Sequence, residues 1–311
     1  MSLYRACGLV IDSEVALAEC PPAAIDETTS PDVRLCLGTI DPEWGEPTDV
    51  PYIRHMPGGA LHFGEDDGPR FLVSKSTVVV DPSKSGWRRF FIGPVLGALC
   101  YLNDRLPLHA SAVDIDGVAV VFAGPSGAGK STLAAALVHR HGRRLISDEL
   151  SALRLTAPTP VVFPYLRYHR LSDASAACLD LDAIRSAAGI RDFDKTLVTA
   201  RDVTSEITPC QVIYLLKPAN DTSPCDSVLC LPSADAAAEI MDNLYRRDIG
   251  ELCRPVSGLL GAAATLVGQV QVRVLSYDAD TPALRGLAET VLADVDSQRN
   301  AMTALASRSA D

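Results

Sequence analysis

Six consecutive apolar residues, Val118–Ala123, run straight into Gly124-Pro125-Ser126-Gly127-Ala128-Gly129-Lys130-Ser131-Thr132, and an apolar helical pattern follows at once. No other stretch limits the fold so strongly. The nine residues 124–132 fit G-x-x-x-x-G-K-[ST]. An apolar run of that length reads as a buried central strand. The spacing after it predicts a helix over 131–141, closed by Gly142 as C-cap. Strand, glycine loop and helix in that order make a phosphate cradle. Glycines let backbone N–H groups surround phosphate oxygens without a Cβ in the way. The helix N-terminus adds unsatisfied amides and the positive end of its dipole. Lys130 supplies a charge for the outer phosphates, and the Ser131 hydroxyl can ligate Mg²⁺. All of 124–132 are therefore candidate contacts to a nucleoside triphosphate, either ATP or GTP.

An α/β pattern extends around the cradle. Residues 110–115 read as a strand, and Asp116-Gly117 as a two-residue hairpin turn that feeds the loop strand. A short strand over 144–147 ends at Asp148-Glu149, 18 residues after Lys130. Further strands are expected over 150–155, 161–168, 212–216 and 269–275, and helices over 234–244, 259–267 and 282–306. Parallel strands put their C-terminal ends on the edge that carries the glycine loop. Asp148 and Glu149 are thus expected beside the terminal phosphate. There one acid can orient Mg²⁺ and the other can accept the proton of an attacking hydroxyl. The alternative is a pair of acids capping a turn. His109 opens the first arm of the hairpin, 21 residues before Lys130. Its position alone leaves a structural and a catalytic role open. Lys195 is a candidate second phosphate contact, against a solvent-facing lysine. Arg167 and His169 are weaker candidates still.

Residues 1–85 read differently. Short strands over 7–11 and 34–37, a hairpin of 71–73 with 78–80, and frequent Gly and Pro suggest a small β-rich or α+β unit. An apolar helix over 90–103 leads into the rest, so the chain divides into residues 1–85 and an α/β unit of residues 86–311. Two domains suit a chain of 311 residues. The net charge of −11 argues against a broad grip on nucleic acid or an anionic membrane. The basic clusters, Arg88-Arg89, Arg143-Arg144 and Arg246-Arg247, are only pairs and read as solvated. The apolar segment 256–267 is too short to span a bilayer and reads as a packed helix. The N-terminus lacks the signal-peptide pattern. Nine cysteines without a C-x-x-C pair point to reduced thiols in a cytosolic protein.

Taken together, Leu108-His109-Ala110-Ser111-Ala112-Val113, Asp116-Gly117, residues 124–132 and Ile146-Ser147-Asp148-Glu149 resemble the C-terminal catalytic domain of HPr kinase/phosphorylase. That P-loop domain is distantly related to phosphoenolpyruvate carboxykinase. The resemblance is clear over 105–155 and fainter to 276. It is strongest to the HPr-kinase-like proteins of peptide-modification clusters, lasso-peptide kinases among them, which also begin with a β-rich region. It implies Asp148 as catalytic base, Glu149 with Ser131 as metal-holding residues, and His109 beside the reacting phosphate. The sequence departs from the family in having Glu149 where Asp is usual. It also lacks the downstream glutamate-arginine-glycine signature and the glycine-rich segment linked to phosphorolysis, so action on HPr and the reverse reaction are not expected. The function implied is ATP- and Mg²⁺-dependent phosphorylation of a serine or threonine on a peptide or small protein, recognised through the N-terminal unit. Homo-oligomerisation stays open. A small-molecule kinase and a nucleotide-switched binding protein without net transfer are the alternatives.

Overall fold

The computed structural model describes residues 2–23, 30–41, 43–64, 68–83, 85–181, 195–219, 227–277 and 286–308, the last helix with side chains to Ala301. The N-terminal part is one sheet of eight strands: β1 (Ser2–Ala6), β2 (Leu9–Ser13), β3 (Val33–Leu37), β4 (Glu46–Pro47), β5 (Ile53–His55), β6 (Leu61–Gly64), β7 (Arg70–Val73) and β8 (Thr77–Asp81). Their order is β1-β2-β3-β8-β7-β6-β5-β4, and β3 pairs parallel with both β2 and β8. The alternation in β3 decides its faces: Val33 and Leu35 are buried and Arg34 points out. One strand was expected over 7–11. Instead Cys7 and Gly8, at φ 53° and 72°, turn the β1–β2 hairpin. A Cβ on Gly8 would stand 2.3 Å from the Phe163 ring, so the hairpin tip butts against the rest of the protein.

The expected bridging helix is interrupted. It runs as α1 (Trp87–Phe90), a π-helical turn over Phe91–Val95, and α2 (Leu96–Leu102). Pro94 has no N–H to give to the ladder, and the wider turn absorbs the loss. Phe90 stacks on Phe71 at 5.6 Å and meets Phe63 edge-on at 6.1 Å, which seats the helix on the N-terminal sheet.

The remainder comprises β9 (Leu106–Leu108), β10 (Ala110–Ile115), β11 (Val118–Ala123), α3 (Lys130–His141), β12 (Arg144–Ser147), β13 (Ser151–Arg154), β14 (Val161–Val162) and β15 (Tyr168–Leu171). It continues through α4 (Asp173–Cys178), β16 (Thr196–Thr199), β17 (Thr208–Pro218), β18 (Val228–Cys230), α5 (Ser233–Asp242), α6 (Arg247–Cys253), α7 (Val256–Gln269), β19 (Gln271–Tyr277) and α8 (Leu287–Arg308). The sheet has β11, β17 and β19 parallel at its centre. β10 lies antiparallel to β11, and β12 antiparallel to β10. β12 therefore runs with β11, and both end on the same edge. The single strand expected over 161–168 is split in two. Pro164 cannot donate to a ladder, and the chain turns there so that Phe163 and Tyr165 are buried against the N-terminal sheet.

Period-2 alternation divides the central strands between two helical layers. Val120 and Phe122 face α3 and α8, packing on Leu133, Leu137 and Val291. Ala119, Val121 and Ala123 face α5 and α7, packing on Ile240, Met241 and Leu259. Each fully buried valine or phenylalanine contributes about 1.5–3 kcal/mol over an exposed one. The result is the α/β architecture and β-rich N-terminal part expected from the sequence. A separate apolar cluster joins the N-terminal sheet to Leu150, Phe163, Tyr165, Tyr245 and Ile249. No helix among the described residues is long and apolar enough to cross a membrane.

His169 turns inward from β15 and is fully buried, with both ring nitrogens lacking a hydrogen-bond partner among the described residues. Burial pushes its pKa down to about 3, and nearby His139 adds to the effect. The unfolded chain binds a proton on this group near pH 6.5, roughly its ordinary value. Stability from His169 is therefore complete above about pH 6.5 and is lost progressively as pH falls toward 3. Urea midpoints of the His169→Leu variant should decline less between pH 6.5 and 4 than those of the wild type. Parallel declines would show that another group governs acid sensitivity.

Candidate nucleotide-phosphate site

β11 delivers Gly124 to the sheet edge at φ 141°, beside β17. A Cβ there would lie 2.9 Å from the Leu216 carbonyl oxygen, so only glycine can begin the loop at this spot. Gly129, at φ 89°, then turns the chain into α3, and Lys130 is its first residue. The Gly124 N–H donates to Asn243 Oδ1 at 2.7 Å. Asn243 in turn donates through Nδ2 to the Glu239 carbonyl at 2.9 Å, and its backbone carbonyl accepts from the His109 N–H at 2.8 Å. Asn243, at the end of α5, thus fixes the start of the loop through its side chain and the residue that opens the hairpin through its backbone.

Lys130 is nearly buried at 7% exposure, and its Nζ donates to the carbonyls of Gly124 at 2.7 Å and Pro125 at 3.0 Å. Burial pushes its pKa down to about 8. An anion in the loop would reverse that shift by stabilising the charged form. Ser131 Oγ donates to Asp148 Oδ1 at 2.8 Å. Asp148 is 2% exposed and also accepts from Ser111 Oγ at 2.6 Å, the Glu149 N–H at 3.0 Å and the Arg170 N–H at 2.7 Å. Its carboxylate gathers β10, α3 and β15 onto the end of β12.

Glu149 adopts φ 74°, which a long side chain rarely does. The turn swings its carboxylate away from Asp148, to 2.9 Å from the Arg170 guanidinium and 3.8 Å from His109 Nδ1. Burial, then the charge of Lys130, lowers the His109 pKa below its ordinary value and so favours the neutral imidazole. The His109 ring stacks on Tyr245 with centroids 6.1 Å apart.

A cavity of about 110 Å³ brings together His109, Lys130, Ser131, Asp148, Glu149 and Lys195, with Ser126, Gly127, Gly129 and Thr132 from the loop. Gly124, Pro125 and Ala128 complete the loop backbone without lining this cavity. A larger groove of about 720 Å³ lies at the opposite ends of the central strands, beside Val118, Cys210 and Gln271, and holds none of these residues. Arg167 is exposed. Sequence reasoning missed Ser111, Arg170 and Asn243. Ser111 stood within a quoted motif. Nothing local marked the other two, whose roles arise from contacts between distant segments.

Strand, glycine loop and helix N-terminus, with a carboxylate bonded to the loop serine, define a P-loop α/β core. No family model matches the chain. Two curated relatives do, over short stretches. HPr kinase/phosphorylase of Azoarcus sp. (strain BH72) is 41% identical over 58 residues, 19% of this chain and 18% of the relative. HPr kinase/phosphorylase of Exiguobacterium sp. (strain ATCC BAA-1283 / AT1b) is 36% identical over 96 residues, 30% of each. The matched stretches thus span less than a third of either relative. The solved HPr(Ser) kinase/phosphatase from Coxiella burnetii is 14% identical, with 65% of this chain and 95% of that one covered at a TM-score of 0.35. Over these stretches the chain is similar to HPr kinase/phosphorylase.

Asn243→Ala should leave the buried Gly124 N–H without an acceptor. An unsatisfied buried donor costs about 1–3 kcal/mol. Urea unfolding should register that loss, and calorimetric titration with ATP should show weaker binding. Unchanged values in both would mean that the loop keeps its shape without this side chain.

Proposed function

We propose that this chain is an ATP- and Mg²⁺-dependent kinase that phosphorylates a serine or threonine hydroxyl on a peptide or small protein. The gathering of Lys130, Ser131, Asp148, Glu149, His109 and Lys195 around one cavity at the N-terminus of α3 carries the reading. The name of the curated relatives, HPr kinase/phosphorylase, supports phosphoryl transfer to a protein acceptor. In this reading residues 86–311 hold the catalytic machinery and residues 1–85 the recognition surface.

The loop amides would surround the phosphates, and Lys130 and Lys195 would offset their charge. The Ser131 hydroxyl and one of the two neighbouring carboxylates, Asp148 or Glu149, fit the donor set that Mg²⁺ takes from a protein, with phosphate oxygens and water completing the shell. Mg²⁺, when bound, offsets charge on the outer phosphate oxygens. His109 would stand beside the reacting phosphate as a neutral donor. The acid that accepts the hydroxyl proton is Asp148 by family resemblance, with Glu149 at the metal. A second reading exchanges the two. It is favoured by the four donors already on Asp148, Ser131 among them, while Glu149 projects toward His109 and Arg170.

Lys130→Ala should weaken ATP binding about tenfold to a hundredfold, the equivalent of one charge-assisted hydrogen bond. Equal affinity and turnover would refute the nucleotide assignment.

Asp148→Asn and Glu149→Gln separate the two acids. Loss of the base should lower kcat by about 10²–10⁴ with ATP affinity retained. Loss of the metal-holding acid should instead raise the Mg²⁺ concentration needed for half-maximal rate. If Glu149→Gln gives the first pattern and Asp148→Asn the second, the exchanged roles hold. The converse pattern keeps Asp148 as the base.

A further inference from the structure

Three arginines from three separate elements converge next to Glu149. Arg170 stands on β15, its guanidinium 2.9 Å from the Glu149 carboxylate. Arg246 lies in the turn before α6, with its guanidinium 5.9 Å from the centre of the Tyr245 ring and 3.4 Å from the Tyr52 hydroxyl of the N-terminal unit. Arg89 extends from α1 and is exposed. The ring of its neighbour Phe90 meets Tyr52 edge-on at 6.2 Å, and Tyr52 is the same residue that Arg246 touches, so Arg89 stands on the helix beside Arg246. Desolvation, and then the charges of Arg170 and Arg246, lower the Arg89 pKa accordingly. Glu149 acts on Arg89 in the opposite sense. The four side chains sum to +2 (three arginines less one glutamate) in a protein whose net charge is −11.

Gathering like charges costs energy, and the backbone at Arg246 adds to the cost by adopting φ 46°. Arginine is the side chain whose planar fork of donors matches a carboxylate or phosphate. Arg170 borders the phosphate cavity, whereas Arg89 and Arg246 do not. They stand at the seam between the N-terminal sheet and the P-loop core, where an acceptor would approach Glu149. The nucleotide phosphates already have Lys130, Lys195 and the loop amides.

We propose that the acceptor is an acidic peptide, in which a carboxylate beside the serine or threonine is bound by Arg89 and Arg246 at this seam while the hydroxyl reaches the acids of the site. The proposal rests on the kinase reading above, and names its substrate class.

The test uses the full chain and two sets of short fluorescent serine peptides. One set carries Asp or Glu around the serine, and the other carries Asn or Gln at the same positions. Binding is read by anisotropy with Mg²⁺ and a non-hydrolysable ATP analogue, and transfer by label from γ-labelled ATP. Acidic peptides should bind about tenfold or more tightly than their amide counterparts, since each bidentate pair adds charge-assisted hydrogen bonds. That preference should shrink with added salt. Arg89→Gln, on an exposed helix position, should remove much of it, and Arg89→Gln/Arg246→Gln nearly all, with ATP affinity unchanged. Equal binding of the two sets by the wild type would overturn the proposal. So would a fall in ATP affinity that matches the loss of peptide affinity, because the arginines would then serve the nucleotide. Selective, arginine-dependent binding of acidic peptides without transfer would uphold the surface and sink the kinase reading. Transfer to serine peptides regardless of charge would do the reverse.

Discussion

The Asp148 carboxylate is the point on which the site depends. It closes β12 and accepts hydrogen bonds from Ser111 of β10, Ser131 of α3, and the backbone of Arg170 in β15 and of Glu149. A buried carboxylate is tolerated only when such donors replace its lost water. Each bond of this type is worth about 1.5–3 kcal/mol, although bonds that share an acceptor do not add independently. The consequence is geometric. The first turn of α3 cannot shift relative to the end of β12 without stranding a donor or the charge itself. The serine expected to meet a metal ion and the acid expected as base are therefore held in register by the fold.

A second set of contacts acts from the opposite side of the loop. Asn243 takes the Gly124 N–H, and Lys130 folds back onto the Gly124 and Pro125 carbonyls. The loop is shaped in advance, so little conformational entropy has to be removed when phosphate enters. Lys130 must exchange two carbonyl partners for phosphate oxygens. Burial pushes its pKa down to about 8. An anion supports the charge far better than carbonyls do, and this difference favours an occupied loop.

The features legible in the sequence were local ones. Val118–Ala123, the glycine loop, α3 and its left-handed Gly142 cap are all specified within 25 residues, and each is an outcome of neighbouring side chains and backbone. The Asp116-Gly117 turn was legible for the same reason. Tertiary context decided the rest. Gly8 of the β1–β2 turn has no room for a Cβ because Phe163, more than 150 residues away, packs against it. Pro94 and Pro164 broke elements that periodicity alone would have continued. Within the candidate site, the acids and the loop could be placed from spacing, and His109 only through the family resemblance. Asn243 and Arg170 could not, since an asparagine after a helix and an arginine on a short strand carry no mark of their partners.

Backbone strain gives the seam a further meaning. Among the described non-glycine residues with positive φ, Asp104, Asp116 and Asp180 have the short polar side chain that such turns tolerate. Glu149 and Arg246 have long charged ones instead. Conformations of this kind persist only where surrounding contacts over-determine them. For Glu149 those contacts are Arg170 and His109, and for Arg246 they are Tyr245 and Tyr52. Tyr52 belongs to the N-terminal unit, whose apolar core continues without a break into Phe163, Tyr165 and Tyr245. The strained arginine is thus held partly by one unit and partly by the other. Had the N-terminal sheet evolved as a loosely tethered module, it could not help to hold that conformation. Its shared core instead lets Tyr52 act as a fixed support for that arginine.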